Sequence, residues 1–398
     1  MRLRKIAVVC QEYNNCIIKN QYIMFTKTFS LTALCLFMLA ISAGICQTSK
    51  KNKDIGLKDA LKGKFLIGVA MNSYQITGKD TLADKLIIKN FNSIVAENCM
   101  KSGPLQPKEG EFDFTLADQF VKFGVEHKMY IVGHALIWHS QAPRWFFVDD
   151  KGNTVTKEVL IERMKKHITS VVSRYKGRVN CWDVVNEAIN DDGTWRNSPF
   201  YKIIGKDFIK LAFEFAHEAD PKADLDYNDY SMYCEGRRNA VVNMIKELKA
   251  EGVKITAVGM QGHLGIDNLP IAELEKSIDA FAAEGVKVMF TELDINALPS
   301  PGNRGGADVS LNYQYQQKMN PYPNGLPDSV ATILHNRYAE LFRMFIKHKD
   351  QIKRVNLWGL TDGQSWLNNW PVRGRTNYPL LFDRQYKPKP IVETILKM

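Results

Sequence analysis

The amino-acid sequence predicts a closed (β/α)8 barrel, a TIM barrel of the α/β class, built as a single domain. Three observations carry this expectation. From residue 64 onward, short β-branched or apolar runs alternate eight times with longer segments of helical period. No Gly-x-Gly-x-x-Gly follows the first run, which leaves an open doubly wound sheet without its usual signature. Polar residues collect at the ends of all eight runs. Each parallel strand needs a crossover, and an eight-stranded ring removes both sheet edges.

The strands read Phe65 to Asn72, Phe91 to Asn98, Tyr130 to His139, Val179 to Glu187, Ala223 to Tyr230, Ile255 to Leu264, Lys287 to Ile295 and Val355 to Asp362. Helical periodicity is clearest at Lys157 to Tyr175, Lys206 to Ala219, Arg237 to Glu251, Ala272 to Glu284 and Ser329 to His348. The tail from Ile391 to Met398 reads as the closing helix. Ala297 to Leu326, rich in Pro, Gly, Asn and Tyr, reads as a long surface loop after the seventh strand.

The first 46 residues read as a leader. Phe29 to Ile45 is almost uninterrupted apolar or small sequence, preceded by Lys27 and followed by polar Gln47-Thr48-Ser49-Lys50. That layout fits a secretory signal, with the cut near Cys46 and a secreted or periplasmic product. Met24 heads the usual arrangement of basic segment and apolar core, so residues 1 to 23 read as an over-extended start. A lipid anchor on Cys46 is the alternative, although Ile45 is bulky where a small residue is expected. Residues 47 to 398 then form the barrel domain.

Without the leader's five basic residues and one acidic residue, the net charge falls from +10 to +6. No basic cluster interleaved with aromatics appears, so a nucleic-acid partner is not expected. Of the seven cysteines, only Cys99, Cys181 and Cys234 lie beyond the leader, far apart. They form neither a disulfide framework nor a zinc motif and read as small buried apolar residues.

Functional side chains of such barrels gather where strands end. Here the ends carry Asn72, Glu97-Asn98, His134 with Trp138-His139, Asn186-Glu187, Asn228-Asp229-Tyr230, Gln261 with His263, Glu292 with Asp294, and Asp362. A wet strand end accounts for any single polar residue. It accounts poorly for all eight.

Two carboxylates stand out. Glu187 closes Trp182-Asp183-Val184-Val185-Asn186-Glu187, and Glu292 sits in Phe290-Thr291-Glu292-Leu293-Asp294, at the ends of strands four and seven, which are expected to face each other across the ring. Paired carboxylates across a cleft are what glycoside hydrolysis requires, one protonating the leaving oxygen while the other attacks or activates water. Alternation along the strands puts His263 on a face with Gln261 and Asp294 on a face with Glu292, bringing a Glu-His-Asp group within reach. Trp138, Trp358, Trp366 and Trp370 offer flat apolar faces to sugar rings. A metal site built from His134, His139 and His263 is the competing enzymatic reading. His134 and His139, five apart on a strand, point to opposite faces, so no metal or other cofactor is expected. A sugar-binding barrel without catalysis would not require a matched acid and nucleophile.

At these residues the sequence resembles glycoside hydrolase family 10, the endo-1,4-β-xylanases, from Gly68 to about Ile395. The segments that carry the resemblance are Trp-Asp-Val-Val-Asn-Glu ending at Glu187, Thr-Glu-Leu-Asp around Glu292, Gly133 to Gln141, and Glu97-Asn98-Cys99-Met100-Lys101. The resemblance implies a retaining double displacement on internal bonds of xylan, with Glu187 as acid/base and Glu292 as nucleophile. It implies that Asn186 addresses the sugar 2-hydroxyl and that His263 and Asp294 orient the nucleophile. Glu97, Asn98, Lys101, His134, Trp138 and Gln141 match the glycone side, Trp358 and Trp366 the tryptophans over the catalytic sugar, and Asn228, Tyr230 and Gln261 positions lining the cleft. Xylan and xylo-oligosaccharides are the implied partners, acted on by a monomer without an obligatory protein partner. Two departures stand against the family pattern. Val132 occupies a position where many members carry Arg, and the loop from Ala297 to Leu326 is long.

Overall fold

A computed structural model describes residues 55–300 and 319–398, apart from Asn268. The leader and the middle of the long loop lie outside the described residues. Eight parallel strands form the ring: β1 (Leu66–Met71), β2 (Ser93–Ala96), β3 (Tyr130–Trp138), β4 (Cys181–Asn186), β5 (Asp224–Asp229), β6 (Ala257–Met260), β7 (Lys287–Asn296) and β8 (Ile352–Leu357). Each pairs with its neighbour in sequence, β8 pairs with β1, and Met260 of β6 meets Phe290 of β7. The predicted barrel is therefore closed.

The outer helices follow the strands in turn: α1 (Thr81–Asn90), α2 (Thr115–Glu126), α3 (Lys157–Arg174), α4 (Asp207–Ala219), α5 (Glu235–Ala250), α6 (Ile271–Ala283), α7 (Asp328–Lys347) and α8 (Pro390–Leu396). Local chemistry sets several starts. Asp80 caps α1 by accepting the amide of Ala83, and Thr156 caps α3 by accepting that of Val159. Pro390 opens α8, where its missing N–H costs nothing. The inward stripes of these helices bury residues such as Phe120, Val171, Phe213, Ile245, Phe281 and Phe342 against the outside of the ring.

Two strand boundaries differ from the expectation. The sixth run is not continuous: β6 stops at Met260, and pairing resumes only at His263–Gly265 against Asp294 to Asn296. Gly262 sits between them at φ +81°, a left-handed backbone that an alternating strand cannot adopt. The eighth strand begins at Ile352, before the predicted Val355, and Trp358 to Asp362 has already left the sheet.

The barrel interior explains the floor of the site. Ala70, Val95, Val132, Cys181, Ala257 and Met289 form a small apolar cluster under Trp358. Beside it lies fully buried Arg354, 3.6 Å from Asp226 Oδ2. Cys181 donates its thiol to that same carboxylate at 2.7 Å, so it is buried as expected but not merely apolar. Burial raises the Asp226 carboxyl to about 7, with Arg354 acting in the opposite direction.

Candidate active site

Glu187 and Glu292 meet through intervening amides. Glu187 follows the last residue of β4, and Glu292 lies within β7. β4 and β7 are three steps apart on the shorter arc of the ring, not opposite one another, and β5 and β6 supply the bridge. Gln261 donates to Glu187 Oε1 at 3.0 Å, Asn228 donates to Glu292 Oε1 at 2.9 Å, and both donate to Asn186 Oδ1 at 3.3 and 3.0 Å. One hydrogen-bonded layer therefore fixes both carboxyl groups.

Their remaining partners differ, and so does their proton affinity. Glu187 Oε2 accepts the indole N–H of Trp138 at 2.9 Å. Burial, and after it the negative charge of Asp229, pushes the Glu187 carboxyl up to about 7, against the hydrogen bonds from Gln261 and Trp138; Glu292 adds a smaller upward push. Glu292 Oε2 lies 3.1 Å from His263 Nε2, and His263 Nδ1 lies 3.0 Å from Asp294 Oδ2. Burial disfavours the imidazolium, but Asp294 and Glu292 outweigh it and push His263 up to about 10. Burial likewise works to raise Glu292, yet His263, the charge of His134, and Lys101 hold it below its ordinary value. The Glu-His-Asp group is formed, although Gly262 breaks the alternation expected to carry Gln261 and His263 on one face, and the two carboxylates on either side favour the imidazolium.

The other residues assigned from the resemblance occupy the same face. His134 is buried, bonded through Nδ1 to Asp183 Oδ2 at 2.8 Å, and lies 5.3 Å from the Trp358 ring. Lys101 donates to Asn98 Oδ1 at 3.0 Å and stands 4.9 Å over Trp138. Burial lowers Lys101, while Glu292, Glu97 and Glu187 raise it. Burial raises Glu97 against the charge of Lys101. Gln141 is exposed. Trp366 donates its indole N–H to Asp294 Oδ2 at 2.8 Å and packs on His263 at 5.0 Å.

Some expectations change in kind. Asn228 is fully buried, with its amide nitrogen on Glu292 and Asn186 and its oxygen accepting the Thr291 hydroxyl at 2.6 Å. It holds a carboxylate and is not free to line the cleft. Gln261 is likewise nearly inaccessible. Of the polar strand ends, Asn72 caps a helical turn through the amides of Tyr74 and Gln75, and Asp362 pairs with Lys389 at 2.7 Å. Both serve the scaffold. Residues that alternation did not single out are Asp183, Thr291 and Arg196. The first two sat inside motifs already quoted, and Arg196 gave no local signal.

The comparisons with known proteins agree with this geometry. The family model described as glycosyl hydrolase family 10 matches residues 56–398. The chain belongs to glycosyl hydrolase family 10. This family 10 chain is 54% identical over 369 residues to an endo-1,4-β-xylanase A of Xylanibacter ruminicola, covering 92% of the chain and 99% of that relative. It is 39% identical to an endo-1,4-β-xylanase of Geobacillus stearothermophilus, covering 84% and 96%. Among solved structures, a family 10 endoxylanase retrieved from a sugarcane soil metagenome superposes with a TM-score of 0.84 at 49% identity, covering 86% of this family 10 chain and 99% of that one.

Proposed function

We propose that this protein is a secreted endo-1,4-β-xylanase that hydrolyses internal bonds of xylan with retention of anomeric configuration. The observation that carries the reading is one hydrogen-bonded layer that joins two carboxyl groups through Gln261, Asn228 and Asn186 and gives each a different remaining partner, Trp138 for Glu187 and His263 for Glu292. Glu187 is pushed up to about 7 and Glu292 is held below its ordinary value. Two titratable groups separated in this way divide the roles of acid and nucleophile.

In this mechanism Glu292 attacks the anomeric carbon while Glu187 gives its proton to the departing glycosidic oxygen. Glu187, now ionised, takes a proton from water as that water displaces Glu292 and restores the free enzyme. The imidazolium of His263, fixed by Asp294, keeps Glu292 ionised and aimed. Asn186 accepts from Gln261 and Asn228 through Oδ1 and donates one N–H to Glu187 Oε1 at 3.3 Å, which leaves its second N–H for the sugar 2-hydroxyl. Trp358 and Trp366 flank the reacting sugar, and Glu97, Asn98, Lys101, His134, Trp138 and Gln141 serve the glycone side. Tyr230, whose hydroxyl accepts from Arg196, serves the cleft beside Glu187. The protein acts as a monomer and reaches its substrate through the leader.

The test uses Glu187→Ala and Glu292→Ala. With a dinitrophenyl β-xylobioside, which needs no acid, the first should form the glycosyl-enzyme, stall, and turn over with azide to a β-glycosyl azide. The second should form no covalent intermediate, and azide should give at best the α-product. The opposite pairing of products would reverse the two roles. Product profiles from xylan, cellulose and barley β-glucan check the substrate, and exclusive early release of xylose would contradict internal cleavage.

A further inference from the structure

The backbone around the acid/base carries an unusual conformation. Glu187 has φ +59°, in the left-handed region that a residue with a long side chain rarely occupies. Such a conformation persists only where the surroundings over-determine it. Here nearly every peptide group after it is pinned by a side chain. Arg196 donates through Nε to the Glu187 carbonyl at 2.9 Å, and its own amide donates to the Ala188 carbonyl at 2.8 Å. The Ala188 amide donates to the Tyr227 hydroxyl at 3.1 Å, and the Ile189 amide donates to Asp229 Oδ2 at 3.3 Å. Arg237 donates to the Ile189 carbonyl from Nε and Nη2 at 3.0 and 2.7 Å and pairs with Asp191 at 2.8 Å.

Asp229 is the centre of this arrangement. It is fully buried and accepts from the Tyr227 hydroxyl at 2.6 Å, the Ile189 amide and the Tyr230 amide at 2.9 Å, with Arg237 Nε at 3.7 Å. Every one of these partners is a donor, as a carboxylate requires; burial raises the Asp229 carboxyl above its ordinary value, and Arg237, Tyr227, Arg196 and the Ile189 amide work against that rise.

We propose that Asp229, held between Tyr227 and Arg237, is a positioning residue for the acid/base: it fixes the left-handed turn that aims Glu187 and sets a second buried negative charge beside it. The inference rests on Glu187 being the acid/base. Burial, and after it the negative charge of Asp229, raises the Glu187 carboxyl, with a smaller push from Glu292. The charged and titratable groups facing Glu187 are Asp229 and Tyr230 from β5 and its end, Glu292 from β7, Lys101 after β2, and Arg196 after β4. Glu292 loses its charge when the glycosyl-enzyme forms. Asp229 keeps its charge, so Glu187 remains a base strong enough to take a proton from water.

The test compares leaving groups. In Asp229→Asn, kcat/KM on phenyl β-xylobioside should fall about 30-fold but stay within about threefold on the dinitrophenyl glycoside, because acid catalysis, worth about 10² to 10⁴, is withdrawn only where the leaving group needs a proton. The alkaline limb of kcat/KM on the phenyl substrate should move to lower pH, since removing a neighbouring negative charge eases ionisation of Glu187. Tyr227→Phe, which leaves the carboxylate but deletes the acceptor for the Ala188 amide, should show the same leaving-group dependence if Asp229→Asn does not fold. Equal losses on the two substrates, or an unmoved alkaline limb in folded Asp229→Asn, would overturn the proposal. Glu187→Ala run in parallel separates the two readings. If it too shows no leaving-group dependence, the role of Glu187 fails first.

Discussion

Asp294 Oδ2 takes the indole N–H of Trp366 at 2.8 Å and lies 3.0 Å from His263 Nδ1, so one carboxylate oxygen joins a half-buried aromatic ring to the imidazole beside Glu292. The ring is therefore fastened to the group that orients the proposed nucleophile. Trp366→Phe keeps an aromatic face but loses the donor. With a hydrogen bond to a charged group contributing about 1.5 to 3 kcal/mol, kcat/KM on xylotriose should fall at least tenfold. An unchanged value would show that the contact is only packing.

The pH profile of kcat/KM should be a bell with a wide plateau. Glu187 must carry its proton in the first step, so the rate should decline as pH rises through about 7. Glu292 must be ionised, and its carboxyl lies below its ordinary value, so the acid limb should fall beneath the usual glutamate range. An alkaline limb near the ordinary carboxylate value would contradict the raised pKa of Glu187.

His263→Gln should move one limb only. Removing the imidazolium takes away the hydrogen bond and part of the positive charge that hold Glu292 down. Its proton affinity should rise, and the acid limb should shift to higher pH along with a loss in kcat. A profile displaced on the alkaline side instead would place the histidine with Glu187.

Glu187 should also leave a mark on stability. Its folded value of about 7 exceeds the unfolded value of 4.5, so the stability this group contributes is fully present below the unfolded value and is lost as pH rises through the folded one. The difference corresponds to about 3 kcal/mol. Glu187→Gln cannot ionise and escapes this loss. Its thermal midpoint should gain on the parent chain between pH 4.5 and pH 8, as followed by calorimetry. A constant offset across that range would contradict it.

Gly259 offers a test of how the hydrogen-bonded layer is seated. A Cβ there would stand 2.3 Å from Asn228 Oδ1 and 2.8 Å from the Thr291 methyl. Gly259→Ala should displace Asn228 from Glu292, costing about 1 to 3 kcal/mol of stability and lowering kcat. Wild-type stability and rate in this variant would mean that the layer can shift without loss.

The sequence by itself determined the barrel, because the alternation of strand and helix patterns has few closed solutions. It also marked the paired glutamates and the Glu-His-Asp group, because residues two apart on a strand share a face. Glu292 and Asp294 are such a pair, and both reach His263. Tertiary structure alone decided what joins the carboxylates and what separates their proton affinities. Register set Asn186 beside Asn228 and His134 beside Asp183, across strands that sequence spacing cannot align. The left-handed turn at Glu187 carries no glycine to announce it, and the groups that hold it come from β5, α5 and the loop after β4. Asp229 looked like one more polar strand end. Only the fold, by burying it beneath Arg237 and Tyr227, makes its charge felt at the acid/base, because electrostatic coupling depends on distance and burial through space and not on separation along the chain.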